Sequence, residues 1–266
     1  MLALPMILQN AITNLVSFLD NIMVGQLGTE QMSGVAIVNQ LIFVYNLAIF
    51  GAASAASIFG AQYFGKGNHE GHMYSFRFKL YATMFVTILA ITLFITNGEN
   101  LISLYLTDTA GTGATDVALR YGKQYLSIML IGLVPFAVTQ SYATNIKETG
   151  QTFVPMAASF VAVGSNAVLD YLLIFGIGPF PKLGVMGAAL ATILARYIEA
   201  AIIVIWAHSH KEKNKYLAGA YRGFGMPMGE FKAILIKGFP LMLNELLWAA
   251  GMTAVTQCYS VRGLEV

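Results

Sequence analysis

Residues 149–175 read TGQTFVPMAASFVAVGSNAVLDYLLIF. No Asp, Glu, Lys or Arg occurs from Thr149 to Leu169, and the first charge, Asp170, falls inside the apolar run instead of closing it. A helix crossing a bilayer core needs about 20 apolar residues, which this stretch supplies. Its apolar residues run continuously and do not alternate, which disfavours a β-barrel strand. The same charge-free pattern recurs at Met1–Leu19, Gln31–Gly65, Leu80–Gly98 and Gln124–Ile146. Two further stretches, 184–207 and 239–260, are apolar with isolated charges. The expectation is seven spans, at about 3–25, 34–62, 78–97, 121–146, 152–175, 184–207 and 239–260.

Composition agrees. Of 266 residues, 57% are hydrophobic and 11% charged, against roughly 25% charged in an average soluble domain. A net charge of +2 is too weak for a nucleic-acid binder. The one cysteine, Cys258, excludes a disulfide framework and a cysteine metal site. The first segment lacks a basic n-region and is interrupted early by Pro5, Gln9 and Asn10, unlike a signal peptide. The class is an all-α integral membrane protein.

Lys and Arg in short loops orient such a chain. With the N-terminus inside, ten of them (Lys66, Arg77, Lys79, Lys147, Lys211, Lys213, Lys215, Arg222, Lys232, Lys237) fall on the cytoplasmic side. Four (Arg120, Lys123, Lys182, Arg262) fall outside, and Arg196 lies within a span. The expectation is a multi-pass protein of the cell (inner or plasma) membrane with a cytoplasmic N-terminus. That orientation argues against a seven-helix receptor or retinal protein, and the seventh span has no central lysine for a Schiff base.

Ionisable groups within a bilayer are costly and therefore functional candidates. Asp20, Asp170, Arg196, Glu199 and Glu245 are the five. Asp20 and Asp170 lie at nearly the same fraction of two spans that run outward, so the carboxylates share a depth. Gln9, Thr13, Ser17 and Asp20, spaced four, four and three, mark one face of the first span. Ser159, Asn166 and Asp170, spaced seven and four, mark one face of the fifth. Two polar faces, each ending in an acid, describe helices lining a water-accessible cavity. Carboxylate, amide and hydroxyl oxygens suit a hard cation such as sodium. Burial and a neighbouring like charge suit the acids equally to a proton. Arg196 and Glu199, three residues apart, are expected to form a self-neutralising ion pair. Phe43, Tyr45, Asn46, Phe136 and Glu245 join Gln9 and Ser17 as candidates for lining a substrate cavity, since aromatic and flexible groups accommodate varied apolar shapes. Pro135 is expected to kink the fourth span. His69 and His72 have a metal-like spacing with no third ligand, so no metal is expected there. No combination of nucleophile, base and oxyanion donors points to an enzyme.

Six strings then stand in order along the chain. They are Leu4-Pro5; Asp20-Asn21-Ile22-Met23-Val24-Gly25-Gln26-Leu27-Gly28; Gly60-Ala61-Gln62-Tyr63-Phe64-Gly65-Lys66-Gly67-Asn68; Glu148-Thr149-Gly150-Gln151-Thr152 leading to Pro155-Met156; Asn166-Ala167-Val168-Leu169-Asp170; and Gly187-Ala188-Ala189-Leu190-Ala191-Thr192. With them the sequence resembles the multidrug and toxic compound extrusion (MATE) family of cation-coupled exporters, from about residue 2 to the end. The resemblance implies two six-helix lobes that alternate access and export small organic, often cationic and aromatic, compounds against a proton or sodium ion, with no other cofactor and no nucleic-acid partner. It implies a cation site at Asp20, Asn166 and Asp170, assisted by Thr192, and a bending proline at Pro5. Thr13 stands where one branch can carry a glutamine and keeps an oxygen donor for the same cation site. Another branch uses a glutamate deeper in the seventh span than Glu245.

Aligning Pro240 with Pro5 brings Leu243 onto Leu8 and Gly263 onto Gly28. Internal repeats of this kind build many transporters. The expected organisation is a six-helix lobe at 1–207, a basic cytoplasmic linker at 208–238, and the first helix of a second lobe at 239–266. The rest of that lobe, or a second copy of the chain, is then a required partner. Two rivals are a flippase for lipid-linked precursors, which needs a cationic cavity, and a truncated fragment that packs in the membrane without transporting.

Overall fold

The computed structural model describes residues 20–106, 113–222 and 225–260, with the isolated positions 7, 11 and 18. Residues 20–25 are helical, and the helices α1 (Thr29–Gly65), α2 (His69–Ser103), α3 (Ala114–Met129), α4 (Leu133–Glu148), α5 (Phe153–Phe175), α6 (Val185–Ser209) and α7 (Met228–Ser260) follow. The described residues contain helices and no strands. A 3-10 turn at Leu130–Gly132 joins α3 to α4, and the pair forms one 35-residue span. Six helices among the described residues are long and apolar enough to cross a membrane. Most of the first expected span, including Pro5, Gln9, Thr13 and Ser17, lies outside the described residues.

Helices α1, α2, α7 and the α3–α4 pair overrun their expected bounds because a helix need not end at the first charge, whereas α5 and α6 keep theirs to within two residues. The 37 residues of α1 make a rod of about 55 Å, longer than the ~30 Å hydrocarbon core. Asn68 caps α2 by accepting from the Gly71 N–H at 2.9 Å, so α2 begins nine residues before its expected start at 78. That extension carries Arg77 into the helix, correcting its assignment to a loop, and both Arg77 and Lys79 are buried. The kink expected at Pro135 takes the form of the 3-10 turn just before it. Proline has no N–H to bond the residue four back, so the helical ladder breaks at Leu130–Gly132.

Packing places polar groups inside and apolar groups outside. Thr83 and Thr87 of α2 and Ser141 and Asn145 of α4 are fully buried, and Thr83 and Ser141 share a hydroxyl hydrogen bond of 2.9 Å. Such pairs hold helices together where the surroundings offer no water. On the far side of α2, Phe85 and Ile95 are 69% and 68% exposed, as lipid contact requires. Small residues set the closest approaches. A Cβ at Gly34 would lie 2.5 Å from the Ala118 carbonyl of α3, and one at Gly187 would lie 2.6 Å from the Leu173 carbonyl of α5.

The expected linker is docked rather than extended. The Arg77 guanidinium donates to the carbonyls of Ala220 (2.9 Å), Gly219 (2.7 Å), Gly225 (2.7 Å) and Arg222 (3.3 Å). Tyr216 and Leu217 are buried in a cluster with Phe76 and Tyr142. The seventh helix begins at Met228 and not near 239. It lies antiparallel along α1: the Tyr63 hydroxyl donates to Glu230, Gly238 abuts Ala55, Met242 abuts Gly51, and the rings of Trp248 and Phe43 are 6.1 Å apart.

Candidate cation site

Five helical segments converge on a cavity of about 420 Å³. Residues 20–25 bring Asp20, α5 brings Asp170, and α6 brings Thr192 and Arg196. Asp170 is buried and Asp20 partly so, and the two carboxyls are close enough to act on one another directly. Among the described residues, both oxygens of Asp170 and Oδ1 of Asp20 are buried without a donor. An uncompensated buried carboxylate is expensive, so the chemistry of this pair suits a cation or a proton. The Thr192 hydroxyl donates to the Ala188 carbonyl at 3.0 Å and lies within hydrogen-bonding reach of the Tyr125 hydroxyl. Asn166 is buried one turn before Asp170 with Nδ2 unpartnered, but it stands beside the cavity and does not line it.

Sequence periodicity missed several neighbours. Tyr125 of α3 is buried, and its hydroxyl donates to Asn39 Oδ1 at 3.2 Å. It lies within electrostatic reach of Asp20, Asp170 and Arg196. Asn39, Gln40, Phe43 and Asn46 of α1 line the same cavity. Asn39, Phe43 and Asn46 have the i, i+4, i+7 spacing of one helix face, a legible signal. Tyr125 offers no such signal, being one aromatic among thirteen tyrosines.

Of the expected substrate-cavity residues, Phe43 and Asn46 line this space, and Gln9 and Ser17 lie outside the described residues. Tyr45 does not line it. Its position turns it to the opposite side of α1, where its hydroxyl donates to the Leu133 carbonyl and bonds Thr87 Oγ1, each at 2.9 Å. Phe136 sits behind the cavity, 6.0 Å ring to ring from Tyr45 and under the Arg196 guanidinium at 5.0 Å. Glu245 is on the α1–α7 seam with its Cβ against Gly51.

The expected Arg196–Glu199 ion pair is not formed. Arg196 reaches across to the 3-10 turn, donating to the Gly132 carbonyl at 3.2 Å, where the lack of a side chain on Gly132 admits it. Glu199 turns instead to α5 and accepts from Ser159 Oγ at 2.5 Å. A second polar cluster lies at the end of the bundle that holds the α1–α2 turn. Lys79 donates to Asn145 Oδ1 at 2.6 Å and to Glu148, whose other oxygen is 3.2 Å from His72 Nε2. The described residues hold no group of three or more His, Cys, Asp or Glu that could bind a metal.

Comparisons with known proteins fit this arrangement. Residues 5–172 match the family model described as MatE. A probable multidrug resistance protein NorM of Thermotoga maritima is 26% identical over 277 residues, covering 99% of this chain and 54% of that protein. A FAD transporter of Shewanella oneidensis is 27% identical over 183 residues, covering 67% of this chain and 38% of that protein. Among solved structures, a crystal structure of MATE in the bent conformation superposes with a TM-score of 0.78 at 23% identity, over 95% of this chain and 53% of that one. The chain thus spans about half the length of such relatives. With a matched model over more than half its residues and the same all-helical membrane fold, the chain belongs to the MatE family.

Proposed function

We propose that this chain forms the cation-coupling half of an antiporter that exports small organic, often cationic and aromatic, compounds. The observation that carries this is the Asp20–Asp170 pair, left without donors in a cavity between helices. In the outward-open state a proton or sodium ion enters from outside and binds between the two carboxyls. Its charge removes their repulsion and favours rearrangement of the first helix, with Pro5 as the bend. Substrate leaves outward, access reverses, and the cation is released to the cytoplasm. Thr192 and Thr13 supply further oxygen donors, Asn166 supports Asp170 from beside the cavity, and Phe43 and Asn46 offer the substrate an aromatic and an amide surface. The N-terminus and the end carrying Lys66 and the 208–227 connection face the cytoplasm, supported by the excess of basic residues there. Residues 1–207 form the first lobe, 208–238 link it, and 239–266 open a second. That second lobe, or another copy of the chain, completes the transporter.

The protein reconstituted in sealed vesicles tests this. Asp20→Asn and Asp170→Asn each abolish cation-driven efflux of ethidium while leaving insertion intact. Efflux at the unaltered rate in both variants removes the site. Repeating the measurement with and without a sodium gradient identifies the coupling ion.

An anionic substrate, as in a flippase for lipid-linked precursors, is the second reading. Arg196, the one cation lining the cavity among the described residues, favours it. Two carboxylates against one guanidinium weigh the other way. Competition of ethidium efflux by a flavin dinucleotide separates the two readings. A native mass near that of this chain alone, with no self-association, would support a non-transporting fragment instead.

A further inference from the structure

Arg196 lines the cavity that holds Asp20 and Asp170. It is held there by the Gly132 carbonyl and the face of Phe136 and makes no ion pair with Glu199. The charges around it can be counted element by element. Tyr45 and Tyr125 approach Arg196 from α1 and α3, and both are neutral phenols near pH 7. Glu199 lies on α6 itself, within reach of Lys147 of α4 as well as of Arg196. Glu199 and Lys147 offset one another. What remains is two carboxylates and one guanidinium that never deprotonates, a net charge of one negative.

We propose that Arg196 is a positioning residue that fixes the load of the acid pair at one monovalent cation per cycle; the proposal rests on the antiport reading above. One proton or sodium ion brings the cavity to neutrality. A second would leave a net positive charge in a poorly solvated space, which is unfavourable. Without Arg196 the pair carries two negative charges, and neutrality requires two cations. Arg196 forms no ion pair with either acid among the described residues, and this separation matters to the role. A guanidinium touching the carboxylates would replace the coupling ion, whereas one held back on Gly132 and Phe136 offsets half their charge and leaves the site open.

Infrared spectroscopy of the purified full chain at pH 7 in sodium-free buffer counts protonated carboxyls at the pair, taken as the difference from the Asp20→Asn/Asp170→Asn double variant. The expected counts are one for the wild type, one for the charge-conserving Arg196→Lys, and two for Arg196→Gln. A wild-type count of two overturns the proposal without reference to any variant, so a poorly folding Arg196→Gln does not shield it. A count of one in a folded Arg196→Gln overturns it too, and weaker flavin dinucleotide binding in that variant would give Arg196 to the substrate. In vesicles, exchange of one proton for one ethidium cation moves no net charge, so the wild-type rate ignores an imposed membrane potential. In Arg196→Gln the exchange moves one charge, and its rate responds by up to about fifty-fold per 100 mV. Absence of ethidium movement in wild-type vesicles, with counts of one and two intact, overturns the antiport reading and leaves the charge count standing.

Discussion

Glu148 binds Lys79 through one carboxylate oxygen and His72 through the other, and Gly60 leaves the room its side chain fills. The Lys79 side chain is 0% exposed and that of Glu148 6%, so each charge depends on the other. Removing one partner of a buried pair leaves the second uncompensated, at a cost of about 3–5 kcal/mol. Lys79→Met is therefore expected to lower the detergent-solubilised protein's unfolding midpoint sharply. Lys79→Met with Glu148→Leu should recover most of that loss, and a double variant no better than the single would refute the pairing. The Asp20–Asp170 pairing was readable in sequence, because an acid inside an apolar run stands out against its surroundings. Lys79 was not. It sits at the edge of a charge-free run, where a buried cation and a loop cation look alike until a partner from another helix is placed beside it.

Helix existence was legible from the charge-free runs, while helix ends and contact faces were not. The ends depend on caps such as Asn68, a single side chain that moves the start of α2 back past Arg77. The faces of α1 show the same limit. Asn39, Phe43 and Asn46 turn to the cavity while Tyr45, between them in sequence, turns away. Apolar length says nothing about that rotation, and only the polar spacing encodes it. Close approach depends on glycine at this scale. Gly34→Ala would set a Cβ 2.5 Å from the Ala118 carbonyl, and overpacking of this kind costs about 1–3 kcal/mol. The expected result is a lower unfolding midpoint, with Gly164→Ala, where nothing lies within 4 Å, unchanged.

In the whole molecule, α7 is the element whose role decides how the chain works. It packs along α1 from Tyr63 to Phe43, and if it opens a second lobe, the α1–α7 seam must shift during each cycle. Cysteines at Gly51 and Met242, placed in a background lacking the exposed Cys258, are then expected to form a disulfide. That bond should stop ethidium efflux until it is reduced. Undiminished efflux from the cross-linked protein would make α7 a fixed part of the first lobe. The contact of Arg77 with the 219–225 segment has a consequence in time. Arg77 precedes its acceptor Ala220 by 143 residues, and synthesis adds about 5–20 residues per second. The guanidinium therefore waits on the order of ten seconds for the four carbonyls that hold it. A nascent chain halted after α6 would carry α1 to α6 and yet leave that cation bare, so its partners arrive only with the α6–α7 connection.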